Sequence, residues 1–90
     1  MLERKLRVIN SLGLHARAAA QLVRLSNTFR CTITLRRDDT GIFADAKSIL
    51  SVLYIAAANG IVLRVVTDGA DEQAAMEAIE RLFRDGFGEL

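Results

Sequence analysis

The chain has 90 residues, with 12 Lys and Arg against 11 Asp and Glu, a formal charge of +1, one cysteine, one histidine and no proline. Apolar residues make up 51%, which argues for a folded core and against disorder, and a second core would have to fit in roughly 40 residues. The charge balance excludes a bulk-basic nucleic-acid binder, Cys31 cannot form an internal disulfide, and His15 alone cannot build a multi-histidine metal site.

One domain over residues 1–90 is therefore expected. The start, Met1-Leu2-Glu3-Arg4-Lys5, leads into alternation and not into the apolar run of a secretory leader. No stretch approaches the ~20 apolar residues of a membrane span. A cytoplasmic, reducing location without membrane insertion fits, and large two-lobed cofactor folds are too long for this chain.

Leu6-Arg7-Val8 alternates with the period of a half-buried strand, Leu6 and Val8 inward and Arg7 outward. Asn10-Ser11-Leu12-Gly13 reads as a loop. From Ala16 the period changes: Ala19, Leu22, Val23 and Ser26 fall on one helix face, Arg24 falls on the wet side, and Ser26-Asn27 offers a stop. Cys31 to Leu35 alternates again and is β-branched, a strand that Arg36-Arg37 continue. Asp38-Asp39-Thr40-Gly41 is turn chemistry, and Ile42-Phe43-Ala44 is the partner strand of a hairpin. Between Asp45 and Gly60 the spacing is mixed. Ser48 is a good N-cap for a short helix containing Ile49, Leu50, Val52 and Leu53, closed by Asn59-Gly60. Ile61 to Thr67 is the strongest strand. Asp68-Gly69 turns the chain, and Asp71-Glu72 open a last helix with Ala75, Ala78, Ile79 and Leu82 inward and Arg81 and Arg84 near its end. The order is β-α-β-β-α-β-α, which predicts an α+β fold: a two-layer open-faced sandwich, three helices on one face of a four-stranded antiparallel sheet.

No Walker loop, GxGxxG, CxxC or HExxH motif is present. Asp38 and Asp39 read as turn residues, and Cys31, with no histidine near it in sequence, as a small core residue. His15 stands out. It lies between Gly13 and the first turn of a predicted helix, where unpaired N–H groups and the positive end of the dipole favour a neutral, nucleophilic ring and a bound anion. Arg17, two residues on, can add a charge-assisted hydrogen bond to a phosphate oxygen. By themselves the two fit equally well a helix-start histidine and a solvent-facing arginine.

Gly13-Leu14-His15-Ala16-Arg17 before an Ala-rich helix resembles the active-site motif of the HPr family, the histidine-containing phosphocarriers of the bacterial phosphoenolpyruvate-dependent sugar phosphotransferase system. Ala46-Lys47-Ser48-Ile49-Leu50-Ser51-Val52-Leu53 resembles the family's regulatory-serine segment, and the element order agrees along the whole chain. The resemblance implies phosphoryl acceptance at Nδ1 of His15 and stabilisation of the transferring group by Arg17. It implies a docking patch of Ile49, Leu50 and Leu53, rimmed by Gln21 and Arg24, for Enzyme I and for IIA domains. It also implies regulatory phosphorylation of Ser48 by an HPr kinase. No cofactor or metal is implied, and a shuttle of this kind is expected to be monomeric.

Plainer roles remain open for the second block: an N-cap worth ~1 kcal/mol for Ser48, and core packing for Ile49, Leu50 and Leu53. At least two of those three are expected to be largely exposed. The chain departs from the family pattern at Ala18, where proline is usual, and at Ser51, where glycine is frequent and where a hydroxyl would alter the docking surface. It also departs in the apolar run from Tyr54 to Ala58. The competing reading is a regulatory HPr-like protein, nitrogen-branch or catabolite-control, uncoupled from sugar uptake. RNA binding on the bare sheet face is disfavoured, because aromatics are only 6% of the chain.

Overall fold

A computed structural model describes residues 1–55 and 57–89; Ala56, inside the apolar run that starts at Tyr54, and Leu90 lie outside the described residues. The elements are β1 (Leu2–Arg7), α1 (Ala16–Ser26), β2 (Thr32–Arg37), β3 (Phe43–Asp45), α2 (Ile49–Ile55), β4 (Val62–Asp68) and α3 (Glu72–Arg84), followed by a 3-10 turn at Gly86–Gly88. The sheet order is β1-β4-β2-β3. Every pairing is antiparallel, Leu6 opposite Leu63, Leu35 opposite Val65 and Leu35 opposite Ala44. The expected α+β sandwich is therefore the observed one.

Alternation decides which face is covered. Ile33, Leu35, Ala44, Leu63 and Val65 are buried under the helices. The residues between them, Thr34, Arg36, Phe43 and Arg64, face outward, and Arg36 stacks over the Phe43 ring. Helix α3 packs on β1 and β4, α2 packs on β3 and β2, and α1 packs on both α2 and α3. Ala18, Ala19 and Leu22 of α1 and Ala75, Met76, Ile79 and Phe83 of α3 meet there. Cys31 is 2% exposed and sits in this core as expected, although β2 begins one residue after it, at Thr32.

The boundaries differ in places. The first strand begins at Leu2, because β4 pairs with it that far. Val8 lies past its end, yet is fully buried and still bonded to Ile61. The partner strand of the hairpin runs one residue later than the pattern suggests. Helix α2 stops at Ile55, well before Asn59-Gly60. Asp38 and Asp39 do occupy the turn, where they also bind Arg64 and Arg37.

Candidate functional site

His15 is the N-cap of α1, with extended backbone dihedrals of φ −74° and ψ −179°. Its carbonyl accepts the Ala19 N–H at 2.8 Å, but its side chain makes no capping bond, and no acidic residue occupies the first turn. The N–H groups at the start of α1 are therefore left without a side-chain cap. The chain is held in position just before the helix. Gly13 sits at φ +66°, and a Cβ built there would lie 2.5 Å from the Ala57 carbonyl oxygen. That closeness lets the Leu14 N–H donate to the same oxygen at 2.8 Å. Only glycine meets both demands.

The His15 ring touches a residue that the sequence did not single out. Nε2 lies 2.6 Å from Oε2 of Glu89. The other oxygen of that carboxylate accepts a 2.8 Å hydrogen bond from Nδ2 of Asn10. Asn10 is fully buried and donates as well to the Gly13 carbonyl. One asparagine thus ties the loop before His15 to the end of the chain. Glu89 gets there because the chain reverses over Gly86-Phe87-Gly88, all at positive φ, with Phe87 buried against Phe83. The Asn10 hydrogen bond, followed by His15 and by the charge of Arg17, holds the Glu89 carboxyl below the usual carboxylate range. A carboxylate on Nε2 orients the ring and fixes the proton on that nitrogen, which leaves Nδ1 with its lone pair free.

Arg17 is exposed at the second position of α1. Gln21 and Arg24 follow at spacings of four and three, so the three share one stripe of the helix; Gln21 is half-buried and Arg24 exposed. Ser48 caps α2, its Oγ accepting the Ser51 N–H at 3.4 Å. Leu50 is 77% exposed, whereas Ile49 and Leu53 are 39% and 37% exposed. All three are thus exposed, as expected of at least two of them, with Leu50 standing furthest out, while Val52 and Ile55 make the buried face of α2. Tyr54 and Leu12 add exposed apolar surface that the spacing did not flag. The Ser51 hydroxyl does not face outward as a docking feature; it accepts the Asp45 N–H of β3 at 2.8 Å.

The two predicted clusters lie on neighbouring helices in opposite order. Asn27, at the end of α1, donates to the Lys47 carbonyl just before α2, and Lys47 Nζ reaches back to the Phe29 carbonyl. Leu14, at the start of α1, donates to Ala57 just past α2. Ser48 is therefore near the far end of α1 from His15, a helix length of ~15 Å. Among the described residues, no group of three or more His, Cys, Asp or Glu could hold a metal ion. No helix among them is long and apolar enough to cross a membrane.

Residues 2–85 match the family model described as the PTS HPr component phosphorylation site. The chain belongs to the HPr family. It is 47% identical over 89 residues to the phosphocarrier protein HPr of Xylella fastidiosa (strain Temecula1), 99% of this chain and 98% of that one. It is 40% identical to the phosphocarrier protein NPr of Proteus mirabilis, over 96% and 94% of the two chains. A solved HPr-C-His from Thermoanaerobacter tengcongensis superposes with a TM-score of 0.94 at 32% identity, covering 100% and 99%. Crh, the Bacillus subtilis catabolite-repression protein solved as a domain-swapped dimer, superposes at 0.74 with 31% identity, covering 96% and 97%. HPr proteins are phosphocarriers of the phosphotransferase system and not turnover enzymes.

Proposed function

We propose that this HPr-family chain accepts a phosphoryl group on Nδ1 of His15 from phospho-Enzyme I and passes it to IIA domains. The observation that carries this reading is the Glu89 carboxylate on Nε2, at a helix start with no side-chain cap. As the Nδ1–P bond forms and the donor's bond to phosphorus breaks, the ring gains positive charge while Nε2 keeps its proton. The carboxylate opposite that proton stabilises the charge. The N–H groups of the first turn and the Arg17 guanidinium take the phosphoryl oxygens, the positioning and charge stabilisation that a loose transition state asks for. Reversal of the same steps releases the group to the next acceptor.

Ile49, Leu50 and Leu53, with Gln21 and Arg24 beside them, form the patch that both partners dock on. A small apolar surface with an arginine rim suits an encounter that must end quickly. Phosphorylation of Ser48 by an HPr kinase would add roughly −2 charge at this patch. At ~15 Å from His15 it acts on docking and not on the phosphoryl site. Residues 1–90 act as one cytoplasmic domain, and a monomer is the form that suits a shuttle.

Intact-mass measurement after incubation with phosphoenolpyruvate and Enzyme I tests the reading. A single acid-labile phosphoryl adduct on the wild type, absent from His15→Ala, is expected; no adduct with the cognate Enzyme I refutes it. The likeness to Crh and NPr supports a second reading, a regulatory or nitrogen-branch protein. That reading gains if the adduct forms but no sugar-specific IIA domain accepts it.

A further inference from the structure

We propose that the free edge of β1 is a second docking surface, one that takes an extended partner segment of alternating acidic and apolar residues as an added strand.

Backbone polarity fixes which part of the edge is open. The Val8 N–H donates to the Ile61 carbonyl, and the Val8 carbonyl accepts the Gly60 N–H. Val8 thus turns both backbone groups toward β4. The two-residue period turns Leu6 and Arg4 the same way and leaves Glu3, Lys5 and Arg7 with N–H and C=O directed off the sheet. β1 is a terminal strand, so no further strand among the described residues receives them. At Glu3 the edge is closed by the chain itself: Arg4 Nη1 donates to the Glu3 carbonyl at 2.9 Å, and Arg4 Nε lies 3.6 Å from Glu80. Lys5 and Arg7 remain. The opposite edge differs, since β3 is three residues long and its Asp45 N–H is already taken by Ser51.

A cleft of 220 Å³ lies along this open edge. Lys5, Leu6 and Arg7 all line it, although their side chains alternate between the two faces of the sheet. A cleft that touches all three runs beside the strand and not over one face. Its other wall is the end of α3, with Phe83 and Arg84, and Ile9 closes one end. Two properties of the occupant follow. On the outer side it meets the cation of Lys5 and the Arg7 guanidinium, one nitrogen of which is held by the Gly60 carbonyl at 2.9 Å, and on the helix side it meets Leu6 with Arg84 beside it, over the buried Phe83. Glu80, the one acid in the lining, is already engaged by Arg4. Strand pairing supplies the main-chain hydrogen bonds, and the alternation supplies specificity: acids toward Lys5 and Arg7, apolar residues toward Leu6. A second copy of this chain is a poor occupant, because it would bring its own Lys5, Arg7 and Arg84 against the same charges.

The test uses the intact, isotope-labelled protein and a capped peptide of three Glu-Val repeats, at low salt. Amide shifts are expected at Lys5 and Arg7 and along Glu80 to Arg84, with a dissociation constant on the order of 1 mM or tighter. A Lys-Val peptide and an N-methylated Glu-Val peptide, which keeps the charge but cannot pair as a strand, are both expected to leave the spectrum unchanged. Lys5→Glu and Arg84→Glu, both at exposed positions, are each expected to weaken binding about tenfold. The proposal is overturned by the absence of shifts with the Glu-Val peptide, by equal binding of either control peptide, or by undiminished binding to both variants. Edge shifts that track protein concentration without peptide would overturn it too, by naming a second copy as the occupant.

Discussion

Gly13→Ala tests how the chain holds His15. The left-handed backbone at φ +66° costs an alanine roughly 1–2 kcal/mol. The new methyl would lie 2.5 Å from the Ala57 carbonyl oxygen and 2.9 Å from Ala58 Cα, both backbone atoms that cannot swing aside. The segment after α2 must move, and the Leu14 N–H, bonded to that same oxygen at 2.8 Å, loses its acceptor. A buried donor left without a partner costs about 1–3 kcal/mol more. Gly41→Ala is the matched control: φ is +74°, but no heavy atom lies within 4 Å of the added methyl. Both variants bear the conformational cost and only one bears the collision. Thermal and urea unfolding should therefore place Gly13→Ala about 2 kcal/mol below Gly41→Ala, near 10 °C in melting temperature for a chain this size. Phosphoryl acceptance at His15 should slow in the first variant and not in the second. Equal melting temperatures for the two variants would refute the argument that close approach, and not backbone handedness alone, requires glycine here.

Glu89→Gln should shift the His15 proton toward Nδ1, visible in long-range imidazole nitrogen spectra, slow phosphoryl acceptance about tenfold or more, and lower stability at neutral pH, where the ionised carboxylate contributes; unaltered spectra and rate would remove Glu89 from the site. Leu50→Ala, at a 77% exposed position, should weaken Enzyme I binding while moving stability by no more than about 0.5 kcal/mol. Ser48→Asp should likewise weaken binding at constant melting temperature, and an Enzyme I affinity equal to that of the unmodified protein would count against regulation through docking. Asp71 accepts the N–H groups of Arg30 and Cys31, which hold its carboxyl below the usual range. The native value is lowered, so this stability is present above the unfolded carboxylate range near pH ~4 and is lost as pH falls through the native value. Urea midpoints should fall in acid for the wild type and fall less steeply in Asp71→Asn, where Glu89 and Glu72 still contribute.

Local periodicity made most of the fold legible. Alternation at Ile33 and Leu35 and at Leu63 and Val65 named the covered sheet face. The three- and four-residue spacing of Ala19, Leu22 and Ser26 named the buried face of α1. His15 and Arg17 were legible because a helix start is a local event with known electrostatics. Glu89 was not, since its contact with His15 spans 74 positions and rests on a left-handed reversal at Gly86-Phe87-Gly88 that leaves no periodic trace. Asn10 read only as a loop residue, because nothing in its neighbours shows that its amide joins two segments. The direction of the Ser51 hydroxyl was equally hidden: seriation along α2 cannot show that β3 offers an unpaired N–H at that point.

If the proposed phosphoryl group sits on His15, the uncapped start of α1 has a consequence for how it is held. Unloaded, the helix begins with no side-chain cap and no acid in its first turn, and Arg17 is a cation where the dipole disfavours one. Ala18, unlike a proline, keeps an N–H there as well. A phosphoryl dianion on His15 would supply the missing cap and neutralise that charge, a gain of ~1–2 kcal/mol. Linkage makes this reciprocal: whatever the cargo adds to folding stability, folding subtracts from the energy with which the cargo is later released. Melting temperature thus becomes a gauge of loading, and a serine or aspartate at position 15 would give a sturdier helix with nothing left to carry.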